Sequence, residues 1–340
     1  MNNEFIKIYA NFLKKFLKPC LPAGKPARPL EVIFDCSNGT TGIVLKNLLK
    51  PKTNPLIGGL KPIFINTKPN GNFPAHGPNP LMPNVINQLQ KEVIKQKADL
   101  GIIFDADGDR VFFVDNKGKF INPDIIANLL IWRISPKKVV IDIRTGWLVR
   151  KEIMNDKLGI KNKKSMIHNS KFIIQSRVGH YYIKKLMRRV DADFGAEQSG
   201  HYYFKNFFYC DSGIMAAIEV INAVSKLPYS LTDFNNLLPQ YFRSGEINIK
   251  IKKSRIKNQN SDSRLKNLFK LIKKKYSNKA IKISHIDGLT MEFSDWWFNL
   301  RPSNTEPLIR LNIETNDKNL LQQKIKELKN FLNKLFMNNF

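Results

Sequence analysis

The chain has 340 residues, of which 42% are hydrophobic, and it carries 56 Lys and Arg against 28 Asp and Glu, a formal net charge of +28. Single cores seldom grow beyond about 250 residues, so this length excludes a single-core protein, and no apolar run approaches the roughly 18 residues of a membrane span. The basic clusters at 161–164, 250–258 and 270–279 are scattered and lack any nucleic-acid-binding motif, so we expect general lysine enrichment and neither a nucleic-acid nor a membrane partner.

The first 18 residues predict an amphipathic helix. Apolar side chains recur at helical spacing, lysines lie opposite them, and Pro19 ends the pattern. We expect the helix, within a linker segment at residues 1–26, to dock on protein. The apolar face comprises Phe5, Ile8, Tyr9, Phe12, Leu13 and Phe16.

The next region alternates strands and helices. Apolar runs at 31–35, 61–66 and 99–105 predict strands, and helices are expected after the first run and near 84–97. Ser37 or Asn38 is a candidate cap of the first of these helices. This order indicates a parallel sheet covered by helices, in a domain at 27–121.

The pattern repeats in a second domain, expected at 122–240, and changes in a third, at 241–340. The second has predicted helices at 124–134 and around 147 and 185, and predicted strands at 137–144 and 171–177. The third has four strand-like runs between residues 279 and 314 and a long final helix from 317. We therefore predict an α/β fold, with two tandem α/β units built on mostly parallel sheets and a C-terminal α+β domain.

The three cysteines indicate a reducing compartment. Cys20, Cys36 and Cys210 are far apart and match neither a disulfide framework nor a metal knuckle. We expect free thiols and a cytoplasmic protein.

The segment FDADGDRVFF at 104–113 places three carboxylates at alternate positions. In an extended segment Asp105, Asp107 and Asp109 would project to one side, and oxygen ligands favour Mg²⁺ or a similar hard cation. A calcium EF-hand is excluded, because Arg110 and Asn116 stand where that loop needs Gly and Glu. A β-hairpin with a polar tip explains the same letters equally well, since Asp-Gly is a common turn pair.

Two further segments have the composition of ligand-binding loops. In GAEQSGHYYF at 195–204, Glu197, Ser199 and His201 alternate and suit a polyhydroxylated ligand, although polar strand edges are also common without a ligand. In LRPSNTEPLIR at 300–310, Arg301 and Arg310 flank a tight polar turn, a composition that can cradle phosphate or simply form a turn.

Taken together, these segments resemble the α-D-phosphohexomutase family, the phosphoglucomutases and phosphomannomutases. DADGDR resembles the metal loop of that family, AEQSGH its sugar-recognition loop and RPSNTEP its phosphate loop, in the same order. Weaker similarities include DCSNGTTG, GNFPAHGPNP, SRVGHYYIKKLM and FYCDSG, so that the resemblance spans nearly the whole chain.

The resemblance implies interconversion of hexose 1-phosphate and hexose 6-phosphate through a hexose 1,6-bisphosphate, with a phosphoserine as phosphoryl carrier and the three loops facing one cleft. It assigns Mg²⁺ to Asp105, Asp107 and Asp109, and positioning of the moving phosphoryl group to Arg110. His180, His201 and Arg144 match positions that assist binding or proton transfer, although Arg144 stands where many relatives carry lysine and arginine hardly deprotonates. The implied substrate ligands are Glu197, Ser199, His201, Arg301, Ser303, Asn304, Thr305 and Arg310.

One departure from the family pattern concerns the nucleophile. Family members carry a leading domain with a Ser-His-Asn-Pro loop, and this sequence has no such loop. His168 and Asn169 lack the proline, and Ser37 is better explained as a helix cap. Two functions therefore stay open: a mutase whose serine domain is a separate chain or is missing from this sequence, and a catalytically silent phosphosugar-binding or regulatory protein. Nucleic-acid binding driven by the net charge ranks third.

Overall fold

Strands and helices alternate in the first part of the chain, and an antiparallel sheet follows. The computed structural model describes residues 3–18, 29–50, 59–151, 172–250, 261–303 and 306–338. Cys20, His168, Asn169, the cluster at 161–164 and residues 251–258 lie outside the described residues.

The first sheet has parallel strands at its centre and a hairpin at one edge. The elements of this part are α1 (Asn3–Lys14), β1 (Leu30–Asp35), α2 (Thr41–Leu48), β2 (Leu60–Ile65), α3 (Asn87–Gln96), β3 (Leu100–Phe104), β4 (Val111–Asp115) and β5 (Phe120–Ile121). The strand order is β2-β1-β3-β4-β5, in which β1 pairs parallel to β2 and β3, and β3, β4 and β5 pair antiparallel in succession. Helix α3 packs Leu89 and Val93 against Ile33 and Ile103 of the sheet.

Helix α1 packs on protein with part of the predicted face: Leu13 is buried, and Tyr9 and Phe12 contact the Phe207 ring. Ala10, Leu13 and Leu17 are buried, whereas Phe5 and Ile8 are 71% and 58% exposed. The segment is fixed to a later helix by Asn222, whose side-chain amide donates to the Phe16 carbonyl and whose oxygen accepts from the Lys18 N–H.

The predicted cap of α2 is wrong. Thr40 holds the N-cap position and makes no side-chain cap bond. Ser37 is instead buried and its hydroxyl donates to the Phe104 carbonyl at 2.6 Å, while the Asn38 amide donates to the Lys68 carbonyl. Both side chains therefore tie the β1–α2 turn to neighbouring segments.

The second sheet also combines parallel and antiparallel strands. Its order is β10-β9-β8-β6-β7, with β6 parallel to β8, and β8, β9 and β10 antiparallel in succession. The elements are α4 (Pro123–Ile134), β6 (Val139–Asp142), α5 (Trp147–Arg150), β7 (Ile173–Ser176), α6 (His180–Val190), β8 (Phe194–Ala196), β9 (Tyr202–Phe204), β10 (Cys210–Asp211), α7 (Gly213–Val224) and α8 (Leu231–Leu237).

The third sheet is antiparallel throughout, in the order β11-β15-β14-β13-β12. Alternation along the strands gives it one apolar face, on which Phe298, Leu300 and Leu311 join Leu268 and Leu328 of the two helices in one core. The elements are β11 (Phe242–Lys250), α9 (Ser261–Tyr276), β12 (Lys282–Ser284), β13 (Leu289–Glu292), β14 (Trp296–Pro302), β15 (Leu308–Thr315) and α10 (Lys318–Asn338).

The predicted fold class is confirmed: two α/β sheets with parallel strands are followed by an α+β region. The chain divides into two compact units, 1–174 with 179–239, and 175–178 with 240–340. The three domain boundaries drawn from the sequence stay predictions. Among the described helices, none combines the length and apolarity needed to cross a bilayer.

Candidate functional site

The DADGDR segment forms the connection between β3 and β4, so it is both a hairpin tip and a cluster of carboxylates. The expected extended conformation is wrong, because the segment turns back on itself. Both the Gly108 and Arg110 N–H groups donate to Asp105 Oδ1 at 3.1 Å, and Arg110 Nε donates to Asp105 Oδ2 at 2.6 Å. The backbone turn, rather than strand alternation, brings the carboxylates together.

Asp105, Asp107 and Asp109 fit a hard cation. One carboxylate oxygen from each lies within 4.8 Å of the others, and Asp107 is the exposed member of the three. Burial and the Asp109 charge raise the pKa of Asp105 to about 6. A divalent cation among these oxygens would offset that repulsion, and an all-oxygen donor set suits Mg²⁺. The residues can therefore hold a metal ion.

Close backbone contacts hold residues 105–110, named the metal loop for their predicted role, against two neighbouring segments. The Thr40 N–H donates to the Ala106 carbonyl at 2.9 Å, and the Gly213 N–H donates to the Gly108 carbonyl at 2.9 Å. Gly39 permits the first approach, because a Cβ there would lie 2.2 Å from the Ala106 oxygen. Gly108 has φ of +78°, in the region that favours glycine. The loop thus stands between the N-terminal turn of α2 and the start of α7.

Residues 196–201, named the sugar-recognition segment for their predicted role, also form a turn and lie against the metal loop. The expected strand edge at Glu197 and Ser199 is wrong, since β8 ends at Ala196 and β9 begins at Tyr202. An isolated antiparallel bridge pairs Arg110 with His201, and the Val111 N–H donates to the Gly200 carbonyl at 3.1 Å. The two segments, in which the bridged residues Arg110 and His201 are 91 positions apart, therefore meet through their backbones.

His201 connects the two loops electrostatically. Its Nε2 lies 3.4 Å from Asp109 Oδ2, and its Nδ1 lies 2.9 Å from Ser199 Oγ and 3.6 Å from Glu197 Oε2. Burial lowers the pKa of His201, but the carboxylates of Asp109 and Glu197 outweigh it and raise the pKa above its ordinary value. The hydrogen bond from His201 lowers the pKa of Asp109 to about 2. His201 thus lies between the carboxylates of the two loops.

Glu197 is held from several sides and its side chain is 1% exposed. The Gly179 N–H donates to its Oε1 at 2.8 Å, and the Tyr203 hydroxyl donates to its Oε2 at 2.5 Å. Arg144 Nη2 lies 3.9 Å from Oε1. Ser199 and His201 are less buried than Glu197, so they are the groups of this segment that a ligand can reach first.

Arg144 and His180 occupy different surroundings. Arg144 pairs with the buried Asp142, with Nη2 2.7 Å from Oδ2, and the same carboxylate oxygen accepts from the Gln198 N–H. The pair thereby supports the sugar-recognition segment. His180 is exposed at the first position of α6, directly after Gly179.

The predicted phosphate ligands Arg301, Ser303 and Arg310 lie together in the C-terminal unit. Arg301 and Arg310 are directly opposite each other on β14 and β15, and Arg310 Nη2 donates to Ser303 Oγ at 3.1 Å. Asn304 and Thr305 lie outside the described residues. The expected common cleft of all three loops stays a prediction.

A cavity of about 450 Å³ opens beside the metal loop. Asp105, Asp107 and Arg110 line one part of it, and Gly39 and Asn79 line another. The side-chain oxygen of Asn79 accepts from Arg110 Nη1 at 3.3 Å, so the loop around residues 69–79 helps to position this arginine. The cavity gives a small ligand access to the carboxylates.

Sequence reasoning missed several residues that support the site. Asp142 and Asp124 both bond Gln198, through its N–H and its side-chain amide respectively, and Tyr203 bonds Glu197. Asp142 had a usable signal, because it ends a buried apolar strand at the edge where the other loops emerge. The sequence offered no comparable signal for Tyr203, since buried tyrosines are common in protein cores.

Comparisons with known proteins agree with this arrangement. Three models of the phosphoglucomutase/phosphomannomutase family match the chain: alpha/beta/alpha domain II at 7–118, alpha/beta/alpha domain III at 163–241 and the C-terminal domain at 246–330. A phosphomannomutase of Methanocaldococcus jannaschii is 36% identical over 334 residues, which are 97% of this chain and 66% of that protein. The chain thus spans about two thirds of the length of curated relatives that it matches.

Solved structures show the same fold. A phosphoglucomutase/phosphomannomutase family protein from Burkholderia thailandensis superposes with a TM-score of 0.77 at 22% identity, covering 98% of this chain and 65% of that one. An N-acetylphosphoglucosamine mutase from Aspergillus fumigatus, in complex with GlcNAc-6P and magnesium, gives a TM-score of 0.60 at 14% identity, covering 96% and 68%. From its three matching domains, this chain belongs to the phosphoglucomutase/phosphomannomutase family, the α-D-phosphohexomutases.

Proposed function

We propose that the chain supplies the metal-, sugar- and phosphate-binding parts of a phosphohexomutase that interconverts hexose 1-phosphate and hexose 6-phosphate through a hexose 1,6-bisphosphate. The observation that carries this proposal is the backbone bridge between Arg110 and His201, which joins the carboxylate loop to the polar segment that contains Glu197, Ser199 and His201. A phosphosugar needs cation-binding carboxylates near its phosphate and polar side chains near its hydroxyls, close enough together for one ligand to contact both.

Asp105, Asp107 and Asp109 would hold Mg²⁺, which when bound supplies positive charge beside a transferring phosphoryl group. The magnesium and GlcNAc-6P of the Aspergillus mutase support this choice of cation and ligand class. Arg110, kept in place by Asp105 and Asn79, would orient the phosphate with its remaining N–H donors.

Glu197, Ser199 and His201 would contact the sugar hydroxyls, and Glu197, whose Oε2 lies 3.6 Å from His201 Nδ1, is the most buried of the three. The raised pKa of His201 favours the protonated imidazole, which can donate a hydrogen bond to a sugar or phosphate oxygen. Arg301, Ser303 and Arg310, with Asn304 and Thr305, would bind the phosphate that is not transferred.

The reaction also needs a phosphoryl carrier, which we propose is a phosphoserine of a first domain like that of the family members. Ser37, the candidate in the β1–α2 turn, is unsuitable because its buried hydroxyl donates to the Phe104 carbonyl. For these residues acting without such a domain, the same observation favours the second candidate function, phosphosugar binding without turnover.

A turnover assay separates the two functions. The full chain is incubated with glucose or mannose 1-phosphate, Mg²⁺ and a catalytic amount of the 1,6-bisphosphate, alone and with a serine-bearing first domain of a relative. Formation of 6-phosphate supports the mutase, and its loss in Asp107→Asn shows that the metal loop is used. Bisphosphate binding with no product under either condition would reject the mutase in favour of the binding protein.

A further inference from the structure

A carboxylate outside all three family motifs lies between the two predicted phosphate-binding arginines. Glu246 Oε2 accepts from Arg301 Nη2 at 2.7 Å, and Glu246 Oε1 lies 3.2 Å from Arg310 Nη1. The carboxylate thus bridges two guanidinium groups with one oxygen each, as a phosphate group would.

The sheet geometry explains why a counter-ion is needed there. Arg301 and Arg310 are paired directly across β14 and β15, where like charges repel. The Arg301 side chain is only 4% exposed, so water screens its charge poorly. Glu246 lies on β11, which pairs with the other edge of β15, and it is diagonal to Arg310. Its side chain therefore extends across β15 to reach Arg301 on β14.

A β-bulge aims Glu246 at this position. The register between β11 and β15 shifts between Arg243 and Glu246, and Gly245 has φ of +65°. Ser244 fixes the bulge, because its Oγ accepts from the Ile313 N–H at 2.9 Å. Bulges commonly redirect a side chain beside a functional site.

We propose that Glu246 is a built-in counter-ion of the phosphate site, which competes with the ligand's phosphate for Arg310 and keeps Arg301 in place. This inference rests on the proposed role of these arginines. Arg310 is the exchangeable partner, since its side chain is 25% exposed and it also contacts Ser303. Glu246 therefore lowers the affinity for phosphate, which favours release of a bisphosphate for reorientation, and it stabilises the arginine pair when no phosphate is bound.

The test is calorimetric titration of the full chain with inorganic phosphate and with glucose 6-phosphate. Removing one negative charge about 5 Å from the bound phosphate, in partly aqueous surroundings, is expected to tighten binding by about five- to tenfold in Glu246→Gln. Glu306→Gln is the matched control: its carboxylate lies 3.6 Å from the same Arg310 but is 59% exposed, so we expect less than a twofold change.

Unchanged or weaker phosphate binding by a folded Glu246→Gln would overturn the inference, as would equal gains in both variants. If Glu246→Gln fails to fold, Glu246→Asp withdraws the carboxylate by one methylene and is expected to gain about twofold. Absence of phosphate binding in every variant also contradicts it. Failure of the proposed mutase has a different signature, in which the phosphate affinities follow the expected order but the 1,6-bisphosphate neither binds nor turns over.

Discussion

The hydroxyl of Tyr203 offers a sharp test of how the sugar-recognition segment is held. It donates to the buried Glu197 carboxylate at 2.5 Å, whereas the neighbouring Tyr202 hydroxyl only approaches the neutral Pro123 carbonyl at 3.4 Å. Both side chains are almost completely buried. Burial and the Glu197 carboxylate raise the pKa of Tyr203 far above its usual range, so its hydroxyl stays protonated and donates.

Tyr203→Phe removes one charge-assisted hydrogen bond and leaves a buried carboxylate oxygen with fewer donors. Such bonds contribute about 1.5–3 kcal/mol, so we expect a loss of about 2 kcal/mol from the first unit. Tyr202→Phe removes the same atom at a long neutral contact, and we expect a loss of under about 0.5 kcal/mol.

Hydrogen exchange measures these losses with an internal reference. At about 1.4 kcal/mol per factor of ten, protected amides of β8 and β9 should exchange about thirtyfold faster in Tyr203→Phe and about twofold faster in Tyr202→Phe. Amides of β14 and β15, in the other unit, should not change. Equal effects of the two substitutions would refute the idea that the Tyr203 bond holds Glu197.

Two further predictions concern the first unit. Burial lowers the pKa of His76, but its 2.9 Å bond to the buried Asp35 outweighs this effect and raises the pKa above its ordinary value. The stabilisation by the His76–Asp35 pair is therefore full below about pH 6.5 and is lost as the pH rises through the folded-state pKa of His76. We expect His76→Gln to lower Tm more at pH 6 than at pH 9. An equal Tm loss at both pH values would contradict this. Gly39→Ala places a Cβ 2.2 Å from the Ala106 oxygen, so we expect it to lower the free energy of unfolding by about 1–3 kcal/mol and to weaken Mn²⁺ binding at least tenfold. Gly71→Ala is the control: its Cβ has open space around it, so its stability and Mn²⁺ affinity should equal those of the wild type. Wild-type Mn²⁺ affinity in Gly39→Ala would show that the loop contact is dispensable.

Much of the fold follows from periodicity, and the failures have physical causes. The predicted strands at 31–35, 61–66 and 99–105 correspond to β1, β2 and β3, because buried apolar runs of five or six residues bounded by turns are distinctive. Strands β8 and β9 have three residues each, too few for a period to show. Helix α7 is buried on every side, so its sequence has no polar face to reveal it, although Ser212 caps it.

The site was predictable in composition but not in conformation. The carboxylates of the metal loop do cluster, yet through a tight turn around Asp105 instead of through strand alternation. The counter-ion Glu246 could not be found from spacing, because it lies 55 residues before Arg301 and reaches it through a bulge. Long-range pairing of this kind is set by sheet register, which short motifs do not encode.

The most direct test of the account is the affinity of the full chain for glucose 1,6-bisphosphate in the presence of Mg²⁺, measured by calorimetry. Asp107 is exposed and Ser199 is only half-buried, in turns outside the strands, so we expect both variants to fold. We predict that Asp107→Asn and Ser199→Ala each weaken binding at least fivefold, and that chelating the metal has the same effect as Asp107→Asn. Wild-type affinity in either variant would contradict the claim that the two loops form one phosphosugar site.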